Sequence, residues 1–289
     1  MRCAGIALLA VLWVTTGSAL ASPAGLVWRV EGAENHVYLA GSMHMLPPRA
    51  YPLPPPYERA YEATEWLVLE ADQAALQRPQ ARDALLAAAR YDAGDLRSHV
   101  GEELYRRTRA VARDQGLSMR RLDGYRPWFV AMAIEMQSYR AAGFRPDLGL
   151  DGHFHERALA DARPVQPLQA IDAHLAIVTD MPASLSRDQL AITLDSADEL
   201  AQAPADIYAY WRNGDAAGLA ASVAEQADAY PALYDRLIYD RNEAWLPTVE
   251  RLLARSGNAL VLVGAVHLVG PRGLVERLRA SGHTVTRVE

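Results

Sequence analysis

Apolar and polar positions alternate or cluster in three patterns along the chain, and each predicts a different kind of element. Near the start, GLVWRVEG and HVYLAGS carry β-branched and aromatic residues on either side of the polar stretch EGAENH, which predicts a β-hairpin. EWLVLEAD is a short apolar run ending in acids, and NALVLVGAVH and GHTVTRVE repeat the strand pattern near the end of the chain. Between them apolar residues recur at three- and four-residue intervals, from about Gln73 to Arg145, from Pro182 to Leu200, from Asp206 to Ala227, and through YPALYDRLIYDRNEAWLPTVERLLAR, so helices are expected there. A sheet built from both chain ends around a mainly helical middle is an α/β or α+β architecture with a central mixed sheet. No Gly/Ser-rich or charge-block linker divides it, so residues 22–289 are expected to form a single domain.

The first residues have a different pattern. Arg2, the stretch AGIALLAVLWV and small residues at Ala19 and Ala21 read as a secretory signal peptide spanning 1–21. Its apolar core is about half the roughly 20 residues of a membrane-spanning helix, so a periplasmic or secreted protein with no stable membrane anchor after cleavage is expected. Cys3, the one cysteine, lies in that segment, so the mature chain has neither disulfides nor a cysteine nucleophile.

Composition narrows the chemistry further. All 29 basic residues are arginine, which removes Schiff-base and P-loop lysine chemistry, and no G-x-S-x-G, H-E-x-x-H or G-x-G-x-x-G motif is present. A net charge of −6 with basic residues scattered among acids argues against a nucleic-acid partner. Carboxylates, histidines, hydroxyls, arginines or a bound metal remain.

Two stretches supply candidates. VYLAGSMHMLPP and LVLVGAVHLVGP share a strand-like run, a glycine, a histidine three residues later and a proline four residues after that, so Gly41 and His44 correspond to Gly264 and His267. The carboxyl ends of strands in α/β sheets face the ligand crevice, and a glycine there permits a sharp turn or a close approach. Both histidines are therefore expected to project from one rim into a shared cleft, as metal ligands or as an acid and a base. If Glu70, at the end of LVLEAD, emerges at the same rim, His44, Glu70 and His267 make a two-histidine, one-carboxylate set suited to zinc, manganese, cobalt or ferrous iron. Arg241 and Asn242 precede the second histidine strand, where an arginine either steadies an oxyanion or pairs with Asp240 on a helix surface. His153 and His155 diverge on a helix for which Asp151 reads as the N-cap, and Trp128, Trp211 and Trp245 read as packing residues.

With GSMH, LVLEAD, YRPW, GLDGHF, YWRNGD, DRN and VGAVHLVGPRGLVERLRASGHTV in place, nearly the whole mature chain resembles the TraB/PrgY/GumN family, which includes the Tiki metalloproteases. The resemblance implies a fold similar to the erythromycin-esterase and ChaN-like proteins. It also implies a site using His44, Glu70, Arg241 and His267 with Asn242 in support. The implied activity is divalent-metal-dependent (Mn, Co or Zn) hydrolysis of a peptide or small-molecule substrate, with binding of haem or a peptide signal without turnover as the alternative. Gln169 departs from the pattern, because family members commonly carry a glutamate there.

Overall fold

A computed structural model describes residues 24–195 and 203–289. The expected signal peptide lies outside the described residues. Six strands form one sheet in the order β4-β3-β5-β2-β1-β6, namely β1 Val27–Glu31, β2 His36–Ser42, β3 Trp66–Leu69, β4 Val165–Pro167, β5 Ala259–Gly264 and β6 Val285–Arg287. The hairpin β1–β2 is antiparallel with Glu31 opposite His36, and β6 closes the edge antiparallel to β1. The other neighbours, β2 with β5, β5 with β3 and β3 with β4, run parallel. Strand β5 is apolar at every position up to Gly264 because both faces of this central strand are covered. The mixed α/β architecture with a mainly helical middle is thus the observed one.

Parallel pairing brings four carboxyl ends to one edge of the sheet. Ser42 lies opposite Gly264 and Leu69 opposite Leu262, while Leu168 and Gln169 continue the β4 ladder by donating to the Leu69 and Glu70 carbonyls. Gly41 therefore pairs with Val263 and not with Gly264, so the two glycine-histidine stretches lie side by side but one residue out of step.

The apolar interior is divided. One large cluster covers both faces of the sheet, and two smaller ones, around Leu190 with Ile134 and around Trp128 with Met181, hold the helical middle together. Helix Pro127–Ala141 spans the seam between the sheet body and these helical clusters. Among the described residues no helix is long and apolar enough to cross a membrane.

Candidate functional site

Glu70 leaves β3 with its side chain only 6% exposed and lies against the Arg241 guanidinium, whose NH2 donates to Oε2. Its other oxygen, Oε1, accepts from the Gly264 backbone N–H at 2.7 Å, which ties the ends of β3 and β5 together. Arg241 comes from helix Asp240–Leu253, directly after one turn of π-helix at Asp235–Tyr239. Such a turn adds a residue to the helical register and so decides which side chains face the sheet edge. The guanidinium also contacts His267 Nε2 at 3.1 Å through NH1 and stacks 4.4 Å over the Trp245 ring.

His267 is held in one protonation pattern by Asn242. The Asn242 amide nitrogen donates to the carbonyls of His267 and Arg272, so its oxygen must accept, and the atom it faces at 2.8 Å is His267 Nδ1. Nδ1 therefore carries the proton, and the Nε2 lone pair points at Arg241. Burial pushes the His267 pKa down to about 3, with the Arg241 charge acting in the same direction against the attraction of Glu70. For Glu70, burial opposes ionisation, but His267 once it is protonated at low pH, the charges of Arg241 and His44 and the Gly264 N–H outweigh it and hold the carboxyl well below the usual range. Because His267 is neutral at ordinary pH, Arg241 is the cation that pairs with Glu70 there.

His44 behaves differently from its sequence counterpart. The expectation that both imidazoles open into a shared cleft fails for His267, which is 2% exposed, packs 4.7 Å from Trp245 and sits in a 3-10 turn, Ala265–His267, that folds back under the Arg241 helix. The His44 side chain is 68% exposed, because the chain beyond β2 runs outward beside residues 145–150. Met43 and Leu46 bond to the backbone of Leu150 and Arg145 on either side of it. His44 Nδ1 meets Asp151 Oδ2 at 2.8 Å, and Ser42 Oγ donates to the other carboxylate oxygen at 3.2 Å. The Asp151 carboxylate, by charge and by its hydrogen bond to Nδ1, raises the His44 pKa to about 9. Solvent reaching the exposed ring screens part of that attraction.

Asp151 is thus a site residue that sequence reasoning missed. It is not the N-cap of helix Leu150–Ala160, which is Gly149, but stands in the first turn with its side chain turned to His44. The glycine at the cap has a steric reason, because a Cβ there would lie 2.2 Å from the His44 carbonyl oxygen. Gly41 likewise leaves room for Ala265, whose Cβ would be 3.0 Å from an added one. Gly264 does neither: its φ is −48°, and an added Cβ would make ordinary contacts with Glu70 and His267. Arg241 is not paired with Asp240 on a helix surface, and Trp245 packs inside the site as well as in the core.

Gln169 has a defined place. Its carbonyl accepts from Trp245 Nε1 at 2.9 Å and its NH2 faces His174 Nδ1 at 2.9 Å, so the amide links a donor to an imidazole that burial keeps in the neutral form. A carboxylate at 169 would meet the Trp245 donor equally well, but would need His174 to supply a proton.

Residues 26–287, from the hairpin to the last strand, match the TraB/PrgY/gumN family. The chain belongs to the TraB/PrgY/gumN family. No curated protein and no solved structure matches it. In this family member the sheet edge brings Glu70, Arg241, Asn242 and His267 into one hydrogen-bonded group. His44 stands beside that group with Asp151 as its own partner. His153 and His155 lie apart from it on helix Leu150–Ala160, with His153 against Tyr51 and Phe154.

Proposed function

We propose that this family member is an exported, metal-dependent hydrolase acting on an amide bond, a peptide in the first instance. The observation that carries the reading is Arg241, which is buried between Glu70 and His267 Nε2 and keeps one more N–H, Nε, without a hydrogen-bond partner. A purely structural ion pair gains nothing from a buried unused donor, whereas the oxyanion formed when a carbonyl is attacked would supply its acceptor. His44 complements it: with Asp151 on Nδ1, the imidazolium form is favoured at neutral pH and Nε2–H is free to protonate a leaving amine.

The donor chemistry suits a divalent ion. Glu70 is ionised and His267 presents a neutral Nε2 lone pair, which are the protonation states that ligands require. Asn242 on the far ring nitrogen is the kind of support that fixes a ligating histidine. A bound ion would polarise the scissile carbonyl. Arg241 currently occupies the lone pairs of both donors, and among the described residues no three His, Cys, Asp or Glu side chains are gathered to hold an ion. An ion could therefore enter only as the guanidinium withdrew, and the released Arg241 would be free to turn to the substrate. His44 would join the ligand set only after losing the proton that Asp151 stabilises, and would serve as the acid until then.

The test is to equilibrate the mature protein with manganese, cobalt or zinc, measure bound metal, and assay a peptide library. Stoichiometric metal that disappears in His267→Ala, with hydrolysis abolished in Glu70→Ala, is the expected result. Hydrolysis absent with every ion, together with a Soret shift on haem titration that depends on His44, would assign the fold a binding role in place of turnover.

A further inference from the structure

Between His44 and helix Pro127–Ala141 lies a cavity of about 340 Å³ whose walls are unusually rich in methionine. Met43 and Met45 flank His44 on one wall, and Met132 and Met136 face them from the helix, so four of the chain's seven methionines surround one space. Ile207 and Val266 complete the apolar lining. The turn Gly264–Val266, whose first N–H holds Glu70, forms the rim shared with the candidate site. Surface depressions of about 630 and 640 Å³ also occur, lined by Ala216 to Ala220 with Arg279 and by Gln166 with Arg251, but they contain none of the site residues.

Three features separate this cavity from an ordinary packing defect. It lies at the seam between the sheet cluster and the helical clusters, the kind of place where ligand pockets form. Met136 is half-buried and belongs to none of the three apolar clusters, so its side chain faces the cavity without serving the core. The one carboxylate at the wall, Glu135, is already engaged by the Thr193 hydroxyl at 2.7 Å and burial raises its pKa, so the charge on the lining is confined to the rim, at His44 with its partner Asp151. Unbranched thioether side chains adapt to apolar ligands of varied shape.

We propose that the methionine-lined cavity is the specificity pocket of the cleft and receives one unbranched or γ-branched apolar side chain, of the methionine or leucine kind, adjacent to the bond presented to His44. The proposal rests on the hydrolase reading for what happens to the ligand, but not for the binding itself. At about 340 Å³ the cavity has ample room for a whole apolar side chain next to the bond at His44, and because it would also admit a medium-length acyl chain, decanoate is one of the probes.

Binding is read first, without turnover, by ligand-observed NMR on the full mature chain with N-acetyl-methionine amide, N-acetyl-leucine amide, N-acetyl-glycine amide and decanoate. Burial of the apolar side chain should make the methionine and leucine amides bind roughly tenfold or more tightly than the glycine amide. Met136→Trp, which fills the cavity from a position outside the core clusters, should erase that preference, and Met136→Leu should keep it. Equal binding of all three amides, a preference untouched by Met136→Trp in a protein that still unfolds cooperatively, or decanoate binding more tightly than every amide would overturn the proposal. Selective, Met136-dependent binding without hydrolysis of any methionine- or leucine-containing peptide would leave the pocket standing and remove the hydrolase reading. Hydrolysis indifferent to Met136→Trp would do the reverse.

Discussion

Replacing Arg241 by methionine tests the buried charge array most directly, because the new side chain fills much of the same space while removing the charge. The Glu70 and Arg241 side chains are 6% and 14% exposed, so the pair is desolvated on both sides. Removing one partner of such a pair typically costs about 3–5 kcal/mol, and the Gly264 N–H that remains on Glu70 places the expected loss near the lower figure, about 3 kcal/mol at pH 7. The loss must depend on pH. Glu70 in the intact protein is held below its usual range, so its contribution to stability is complete above the unfolded value of 4.5 and is lost as pH falls through the folded value. In the variant the carboxylate is buried without its cation, its pKa rises, and protonation relieves the penalty as the solution is acidified. Urea unfolding of both proteins from pH 8 to pH 5 should therefore show a gap that narrows steadily toward low pH. The same variant frees the lone pairs of Glu70 and His267, so millimolar zinc or manganese should raise its melting temperature more than it raises that of the parent protein. A loss below about 1 kcal/mol, or a gap constant across this pH range, would refute the claim that a desolvated ion pair holds the site together.

Three further outcomes follow from individual contacts. The His44 ring should titrate above 6.5 by NMR, and Asp151→Asn should bring it back toward that value; the interaction stabilises the fold fully below about pH 6.5 and is lost as pH rises through about 9. Asn242→Leu removes the partner of His267 Nδ1 and the donor to the buried His267 carbonyl and the part-buried Arg272 carbonyl, so a loss of about 3 kcal/mol in denaturant unfolding is expected, with the His267 tautomer no longer fixed in its nitrogen shifts. Gln169→Glu should raise the pKa of His174 by giving it a carboxylate partner, and the stability gained should be present at low pH and fade as pH rises through the new value, measured by parallel NMR and unfolding titrations.

Sequence alone determined most of the elements, though not the three-residue strand β4, and most of the candidate chemistry. The doubled G-x-x-H pattern and the acid-ended strand placed His44, Glu70 and His267 at strand ends, and parallel pairing of β2, β3 and β5 then put those ends on one edge. Local patterns suffice for this because strand periodicity and termination are set by neighbouring residues. The environment of each group was not legible in the same way. The same motif leaves His44 mostly in solvent and His267 almost fully buried, since what surrounds each ring comes from the Leu150–Ala160 helix in one case and the Asp240–Leu253 helix in the other. Asp151 looked like a cap because aspartate before a helix usually is one; only the approach of residues 43–46 to Gly149 turns it into a partner for His44. The contact of Arg241 with Glu70, the clamp of Asn242 on His267 and the gathering of Met43, Met45, Met132 and Met136 each join segments distant along the chain. Burial, charge pairing and pocket shape depend on distances across the fold, and tertiary packing decided them.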